Sequence, residues 1–171
     1  MILFIVGFMG AGKTTLLEKW SKEWQGESGD LDHLLAEELS IKPEQLGEWI
    51  LKAGWDDFRA IETRVLKTLL EKDSGIYSLG GGAFHRLNRG LLEAKVGVRS
   101  IFVETDIEEC WRRVSGDPNR PLASAGKDRF IDLYKERVKD YQIANYSVSG
   151  DKDFPALEDF CKKYRLSLTI D

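Results

Sequence analysis

Short apolar runs alternate along this chain with longer segments whose apolar positions recur every three or four residues. Apolar runs at 2–6, 76–79, 100–104 and 146–149 predict strands, and a fifth strand is expected to end near Gly29 and Asp30. Helical spacing covers 13–24, 43–53, 55–72, 87–95, 106–115, 127–143 and 155–164. Such alternation is typical of βαβ units around a parallel sheet. We therefore predict an α/β fold in which helices flank both faces of a five-stranded parallel sheet.

The connection between the first strand and the first helix carries the most informative motif. Gly7–Thr14 reads Gly-Phe-Met-Gly-Ala-Gly-Lys-Thr, which matches the phosphate-binding pattern G-x-x-x-x-G-K-[ST]. The glycines let backbone N–H groups converge on a phosphate at a helix N-terminus. Lys13 would reach the β- and γ-phosphates of a nucleotide, and the Thr14 hydroxyl would ligate Mg²⁺. The alternative is a glycine-rich turn with an exposed lysine.

Composition narrows the class of partner. The chain has 171 residues, 42% hydrophobic and 32% charged, with a net charge of −4. A general nucleic-acid-binding protein is usually basic, so we expect no nucleic-acid partner. Cys110 and Cys161 are far apart and indicate buried thiols in a reducing compartment. No run approaches the roughly 18 apolar residues of a membrane span, so a soluble, cytoplasmic protein is expected.

Two carboxylates lie at the end of the strand that is expected near Gly29 and Asp30. Asp30 and Asp32 are separated by one residue and would lie at the carboxyl edge of the sheet, where ligands bind in open α/β folds. One could help to hold Mg²⁺, and the other could accept a proton from an attacking hydroxyl. Alternatively, one of them caps a helix that begins near residue 33.

Two arginines occupy positions beside apolar helix stripes. Arg59 stands next to the core stripe of the 55–72 helix with Glu62 one turn away, although a solvated salt bridge would give the same spacing. Arg137 falls within the aromatic stripe of Phe130, Tyr134 and Tyr141. A buried guanidinium needs an anionic partner, unless it extends to solvent. Together the two arginines could clamp a carboxylate.

Two glycine-containing loops complete the candidate site. Gly80, Gly81 and Gly82 directly follow a predicted strand and would allow a ligand to approach the backbone, although they could also form a simple flexible turn. The 115–126 segment is rich in glycine and proline and carries Arg120. It could be a phosphate-covering lid or a plain connector.

In combination these motifs resemble the shikimate kinase family of P-loop small-molecule kinases. The resemblance extends from Gly7 to Pro155, with the pieces in the expected order. Its pieces are Gly-Ala-Gly-Lys-Thr-Thr at 10–15, Asp-Leu-Asp at 30–32, Phe-Arg-Ala-Ile-Glu at 58–62, Gly-Gly-Gly at 80–82, Arg112-Arg113, Arg120-Pro121-Leu122 and Arg137. It implies a sheet of nucleoside-monophosphate-kinase type with strand order 2-3-1-4-5. It also implies one kinase domain over 1–171, with an acceptor-binding region at about 31–62 and a lid at about 115–126.

The resemblance also implies roles for individual residues. Asp30 would join Thr14 at the Mg²⁺, Arg113 would stack on adenine, and Arg120 would act on the phosphates from the lid. The ATP phosphates are assigned to six consecutive residues: Gly10, Ala11, Gly12, Lys13, Thr14 and Thr15. Shikimate is assigned to Asp32, Arg59, Gly80, Gly81, Gly82 and Arg137, with Lys13, Asp32 and Arg120 as the catalytic residues. The implied reaction converts ATP and shikimate into ADP and shikimate 3-phosphate, in aromatic amino-acid biosynthesis, and we expect a monomer.

The chain departs from the family pattern in two places. Gly54-Trp55-Asp56-Asp57 replaces the Gly-Glu that often precedes Phe-Arg, and Asp153 stands where some members have an arginine against the nucleotide. The first change lies in the acceptor region, so a gluconate- or nucleotide-kinase-like activity stays an alternative. A non-catalytic nucleotide-binding module on the same fold is a further alternative.

Overall fold

A parallel sheet of five strands organises the part of the chain that the structure describes. A computed structural model describes residues 1–116 and 126–167. The strands are β1 Ile2–Val6, β2 Ser28–Asp30, β3 Gly75–Ser78, β4 Val98–Glu104 and β5 Tyr146–Ser149. They pair in the order β2-β3-β1-β4-β5, and every pair is parallel. The predicted fold class and strand order are confirmed.

Helices connect these strands. The described helices are α1 Lys13–Glu23, α2 Leu31–Glu38, α3 Leu46–Ala53, α4 Trp55–Leu70, α5 Arg86–Ala94, α6 Ile107–Val114, α7 Lys127–Tyr141 and α8 Leu157–Tyr164, with a 3₁₀ turn at Pro43–Gln45. In every βαβ unit the helical connection returns the chain to the same end of the sheet, which is what parallel pairing requires.

The central strand explains why the sheet is stable. All five residues of β1 are at most 2% exposed, because β3 and β4 pair with its two edges and helices cover its faces. A strand buried on both faces reads as an uninterrupted apolar run, as Ile2–Val6 does. The edge strand β2 is different, since Ser28–Asp30 has no apolar side chain and, among the described strands, pairs with β3 alone.

Most of the predicted helix ends differ from the structure by one to three residues, and one helix is absent from the prediction. Periodicity does not predict α2, whose one sign in the sequence is that Asp30 or Asp32 could cap a helix. In the structure Asp30 is the N-cap of α2, and its Oδ1 accepts a hydrogen bond from the Asp32 backbone N–H at 2.9 Å. The last helix begins at Leu157 rather than at residue 155, because Ala156 is still extended.

The strand register brings three loops together at one edge of the sheet. Ser78 at the end of β3 is level with Ile5 of β1 on one side and with Asp30 of β2 on the other. The loops that follow β1, β2 and β3 therefore leave the same edge as neighbours. This carboxyl edge is where ligands bind in open α/β sheets.

Candidate active site

The loop Gly7–Thr14, hereafter the P-loop, has the backbone shape of an anion-binding site. Gly10 has a φ of 78°, and Gly12, the N-cap of α1, has a φ of 99°. A Cβ on Gly10 would lie 2.7 Å from the Cys110 carbonyl oxygen, so only glycine fits there. The helix that follows directs its first backbone N–H groups and the positive end of its dipole toward an anion in the loop.

Two side chains of the P-loop itself hold the loop in place. Phe8 is buried and packs edge-to-face on Phe130 and Tyr134 of α7, with ring centroids 4.9 and 5.3 Å away. Lys13 Nζ donates to the Phe8 carbonyl oxygen at 3.0 Å. Thr14 is exposed in the first turn of α1. The loop is thus anchored to α7, the helix that also carries Arg137.

Arg113 connects α6 to the P-loop. Its guanidinium donates to the Gly10 carbonyl at 3.1 Å, to the Gly150 carbonyl at 3.0 Å and to Glu109 at 2.6 Å. Hydrogen bonds from Arg112 and, to a smaller extent, Arg113 lower the pKa of Glu109 to about 2. The guanidinium is therefore held in place beside the loop, and its planar faces are the surfaces that could stack on a base.

The second part of the site surrounds Gly80–Gly82, hereafter the glycine turn, which follows β3. A Cβ on Gly80 would lie 2.6 Å from Asp32 Oδ1. A Cβ on Gly82 would lie 2.6 Å from Arg59 Nη2 and 3.3 Å from Arg137 Nη2. The structure therefore brings these three side chains, from α2, α4 and α7, onto one short turn.

The glycine turn also lies against the P-loop. A Cβ on Gly81 would lie 3.6 Å from Arg137 Nη1 and 3.6 Å from the Met9 backbone nitrogen. Arg137 and the P-loop backbone thus approach the same residue of the glycine turn. A carboxylate at one end of the turn and two guanidinium groups at the other suit a small acid that presents a hydroxyl to the P-loop.

Arg59 is held as the helical spacing predicted. Its Nη1 donates to both oxygens of Glu62, at 2.6 and 2.7 Å, and Glu62 is only 2% exposed. The guanidinium carbon also lies 5.4 Å from the ring centre of Trp55. The solvated salt bridge considered above does not describe this pair, because the carboxylate is buried.

Sequence reasoning missed several residues that shape the site. Asn88 is fully buried and donates to Glu62 Oε2 at 3.2 Å and to the Ala83 carbonyl at 3.0 Å. His85 Nε2 lies 3.6 Å from the same Glu62 oxygen. The Tyr141 hydroxyl donates to the Gly81 carbonyl, and burial raises the pKa of Tyr141. The aromatic stripe of α7 could have indicated Tyr141. No pattern in the sequence indicates Asn88 or His85, because their partner, Glu62, lies on another helix.

Oxygen donors of the kind that bind Mg²⁺ lie in the first turn of α1 and at the end of β2. The Thr14 hydroxyl is at the P-loop, and Asp30 uses one carboxylate oxygen as the cap of α2. Mg²⁺ in phosphate sites takes one or two protein oxygens and fills its shell with phosphates and water, so this donor set fits the ion. Among the described residues no three His, Cys, Asp or Glu side chains are grouped as metal ligands.

Three further predictions concern the lid, membrane spans and the cysteines. The predicted lid falls mostly on 117–125, and so Arg120 lies outside the described residues. No helix within 1–116 or 126–167 is long and apolar enough to cross a membrane. Cys110 and Cys161 are buried free thiols, as predicted.

A parallel sheet of this order, with a P-loop after β1 and a glycine turn flanked by two arginines after β3, defines a P-loop small-molecule kinase. The family model described as shikimate kinase matches residues 9–166. The chain belongs to the shikimate kinase family, and it is an ATP-dependent kinase.

Individual relatives agree with this assignment. A shikimate kinase of Aromatoleum aromaticum is 32% identical over 176 residues, covering 95% of this chain and 98% of the relative. One from Lactococcus lactis is 34% identical over 151 residues, covering 86% and 87%. The crystal structure of shikimate kinase from Aquifex aeolicus superposes with a TM-score of 0.79 at 26% identity, covering 96% of this chain and 94% of that one. A shikimate kinase from Acinetobacter baumannii in complex with shikimate gives 0.77 at 28%, covering 96% and 90%.

Proposed function

We propose that this chain transfers the γ-phosphoryl group of ATP to the 3-hydroxyl of shikimate, giving shikimate 3-phosphate and ADP. It would do so as a cytoplasmic, monomeric enzyme of aromatic amino-acid biosynthesis, with one kinase domain over 1–171 and an acceptor region at about 31–62. The observation that carries the proposal is the convergence of Asp32, Arg59 and Arg137 on the glycine turn beside the P-loop.

The two arginines would bind the carboxylate of shikimate. Arg59 Nη2 and Arg137 Nη2 both face the position of a Cβ on Gly82, so their donors converge on one small volume. Two guanidinium groups directed at one point suit a carboxylate, which accepts several hydrogen bonds in a plane. The ring would then extend along the turn, past Gly81, with its hydroxyls toward Gly80.

Asp32 would receive the reacting hydroxyl. The hydroxyl oxygen forms a bond to the γ-phosphorus while the bond from that phosphorus to the ADP oxygen breaks, and the hydroxyl proton passes to the Asp32 carboxylate. Asp32 suits this role because its oxygen lies beside Gly80, two residues along the turn from the arginine pair. In phosphoryl transfer the protein acts mainly by positioning and by stabilising charge.

The nucleotide would lie on the P-loop. Backbone N–H groups of residues 10–15 and Lys13 would bind the phosphates, and Arg113 would offer a stacking face to adenine. Thr14 and Asp30 would hold Mg²⁺, which when bound neutralises charge on the β- and γ-phosphates. Arg120 stays a sequence-based prediction for the same task.

An acceptor panel tests the proposal. ADP release by the purified protein with Mg²⁺-ATP is measured with shikimate, shikimate methyl ester, gluconate and nucleoside monophosphates, and the product is identified by mass spectrometry. We expect shikimate-dependent ADP release and a phosphorylated product, with little turnover of the ester because its charge is removed. Turnover of gluconate or a nucleotide instead, or ADP release that no acceptor increases, would refute the proposed function.

A further inference from the structure

His85 lies directly before α5 and three residues after the glycine turn, and one of its ring nitrogens is buried with no evident role. Its Nε2 lies 3.6 Å from Glu62 Oε2, which is too far for a hydrogen bond. That nitrogen is buried and has no hydrogen-bond partner among the described residues. An unsatisfied buried polar atom is unfavourable, so the position of the ring calls for a physical reason.

The neighbour of His85 is the carboxylate that holds Arg59. Glu62 is 2% exposed, and its Oε2 also accepts from Asn88 Nδ2 at 3.2 Å. Asn88 is itself fixed, because it donates to the Ala83 carbonyl at 3.0 Å and accepts from Thr63 Oγ1 at 2.9 Å. Glu62 Oε2 is therefore the point where α4 and the start of α5 meet.

The hydrogen bonds between Arg59 and Glu62 determine how the Arg59 guanidinium is oriented. One nitrogen, Nη1, donates to both Glu62 oxygens, at 2.6 and 2.7 Å. The other, Nη2, lies nearest to the Cβ position of Gly82. A guanidinium and a carboxylate commonly form two parallel hydrogen bonds from two nitrogens. Such a pair here would draw a second nitrogen to Glu62 and reorient Nη2 away from the glycine turn.

We propose that His85 is a positioning residue that keeps Arg59 Nη2 directed at the acceptor's carboxylate by donating Nε2–H to Glu62 Oε2. Oε2 already accepts from Arg59 Nη1 and Asn88 Nδ2, so Nε2–H would be its third donor. A third donor leaves no acceptor site on this oxygen for a second arginine nitrogen, which disfavours the parallel pairing. The ring needs to move only a few tenths of an ångström to form this bond. The inference rests on the proposed function, since it requires an acceptor with a carboxylate.

Two substitutions at His85 test this role against a structural one. His85→Leu removes the donor, whereas His85→Gln places an amide N–H near the position of Nε2. We expect His85→Leu to raise the KM for shikimate about 5- to 10-fold, because Arg59 would be misaligned and its charge-assisted hydrogen bond to the acceptor weakened but not lost. The KM for ATP and the kcat at saturating shikimate should stay within about twofold, because Arg59 does not contact the nucleotide end. His85→Gln should recover most of the lost affinity.

Arg86 provides the matched control. It is the next residue along the chain and is exposed at the start of α5. We expect Arg86→Leu to leave both KM values unchanged. Thermal unfolding of all three variants shows how much folded protein each assay contains.

Several results would overturn the inference. One is a wild-type protein that turns shikimate over and a His85→Leu variant with an unchanged KM for shikimate. That result would overturn the role of His85 and leave the proposed function intact. Another is a fall in kcat that follows lost thermal stability with KM constant, which would make His85 purely structural. Equal increases of the KM for shikimate in His85→Leu and His85→Gln would show that His85 does not act as a hydrogen-bond donor. No shikimate turnover by the wild-type protein would refute both the proposed function and this inference.

Discussion

The P-loop and the glycine turn lie side by side at the carboxyl edge of the sheet, but different parts of the chain build them. The P-loop is one continuous segment whose backbone conformation, set by Gly10 and Gly12, forms the anion site. The glycine turn contributes mainly space. Its charged groups come from Asp32, Arg59 and Arg137 on three different helices.

This difference determines how each site responds to change. A backbone site tolerates variation in its surroundings as long as the loop keeps its shape. A site made of side chains depends on the partners that orient each one, here Glu62 for Arg59 and Tyr141 for the carbonyl of Gly81. The positions where this chain departs from its family pattern near the acceptor, such as Trp55, belong to that second kind of site.

The largest effect is expected at the P-loop. Lys13→Ala should lower kcat by about 10³-fold, because it removes a positive charge from the transferring phosphoryl group. The KM for shikimate should change much less than kcat, since the two arginines that would bind its carboxylate lie at Gly82 and not at the P-loop. Steady-state ADP release measures both parameters. Near-normal turnover would contradict the role of the P-loop and abolish the contrast between the two sites.

The next largest effect is expected at the arginine pair. Arg137→Ala should lower kcat/KM for shikimate by about 10²-fold, because the acceptor's carboxylate loses a charged partner. The KM for ATP should stay within about twofold. Lys139→Ala, an exposed basic residue on the same helix, is the matched control. Equal losses for both substrates would argue against a carboxylate clamp.

A smaller effect is expected from filling the glycine turn. The Cβ of Gly82→Ala would lie 2.6 Å from Arg59 Nη2, the movable end of a long side chain. Displacing that nitrogen should raise the KM for shikimate about 10-fold, at little cost in folding stability. Gly90→Ala on α5, where nothing lies within 4 Å, is the control and should leave KM unchanged. Unfolding of Gly82→Ala without a change in KM would mean that the turn is only structural.

The smallest effect is expected at Glu109, the carboxylate that holds the Arg113 guanidinium. Glu109→Gln removes the charge of the carboxylate that holds this guanidinium at 2.6 Å, and should raise the KM for ATP about 2- to 3-fold. The pKa of Glu109 is lowered to about 2, so the carboxylate is ionised throughout pH 5–8. The ratio between variant and wild type should therefore be constant over that range. Glu158→Gln, in a surface pair with Lys162, is the control.

The fold was predictable from local pattern. Ile2–Val6 is an uninterrupted apolar run because it is buried on both faces, and parallel pairing follows from the helices between strands. The P-loop was equally predictable, since all of its determinants are adjacent in the chain. The polar strand Ser28–Asp30 also ends where it was predicted to end, near Gly29 and Asp30.

The orientation of the acceptor side chains was only partly predictable. The spacing of Arg59 and Glu62 predicted their pairing, and the aromatic stripe predicted an unusual position for Arg137. Neither pattern could indicate that both guanidinium groups meet at Gly82, or that Asn88 and His85 share the carboxylate of Glu62. Backbone sites follow from neighbouring residues, whereas contacts between helices depend on how distant segments pack, and no periodicity in a single chain records that packing.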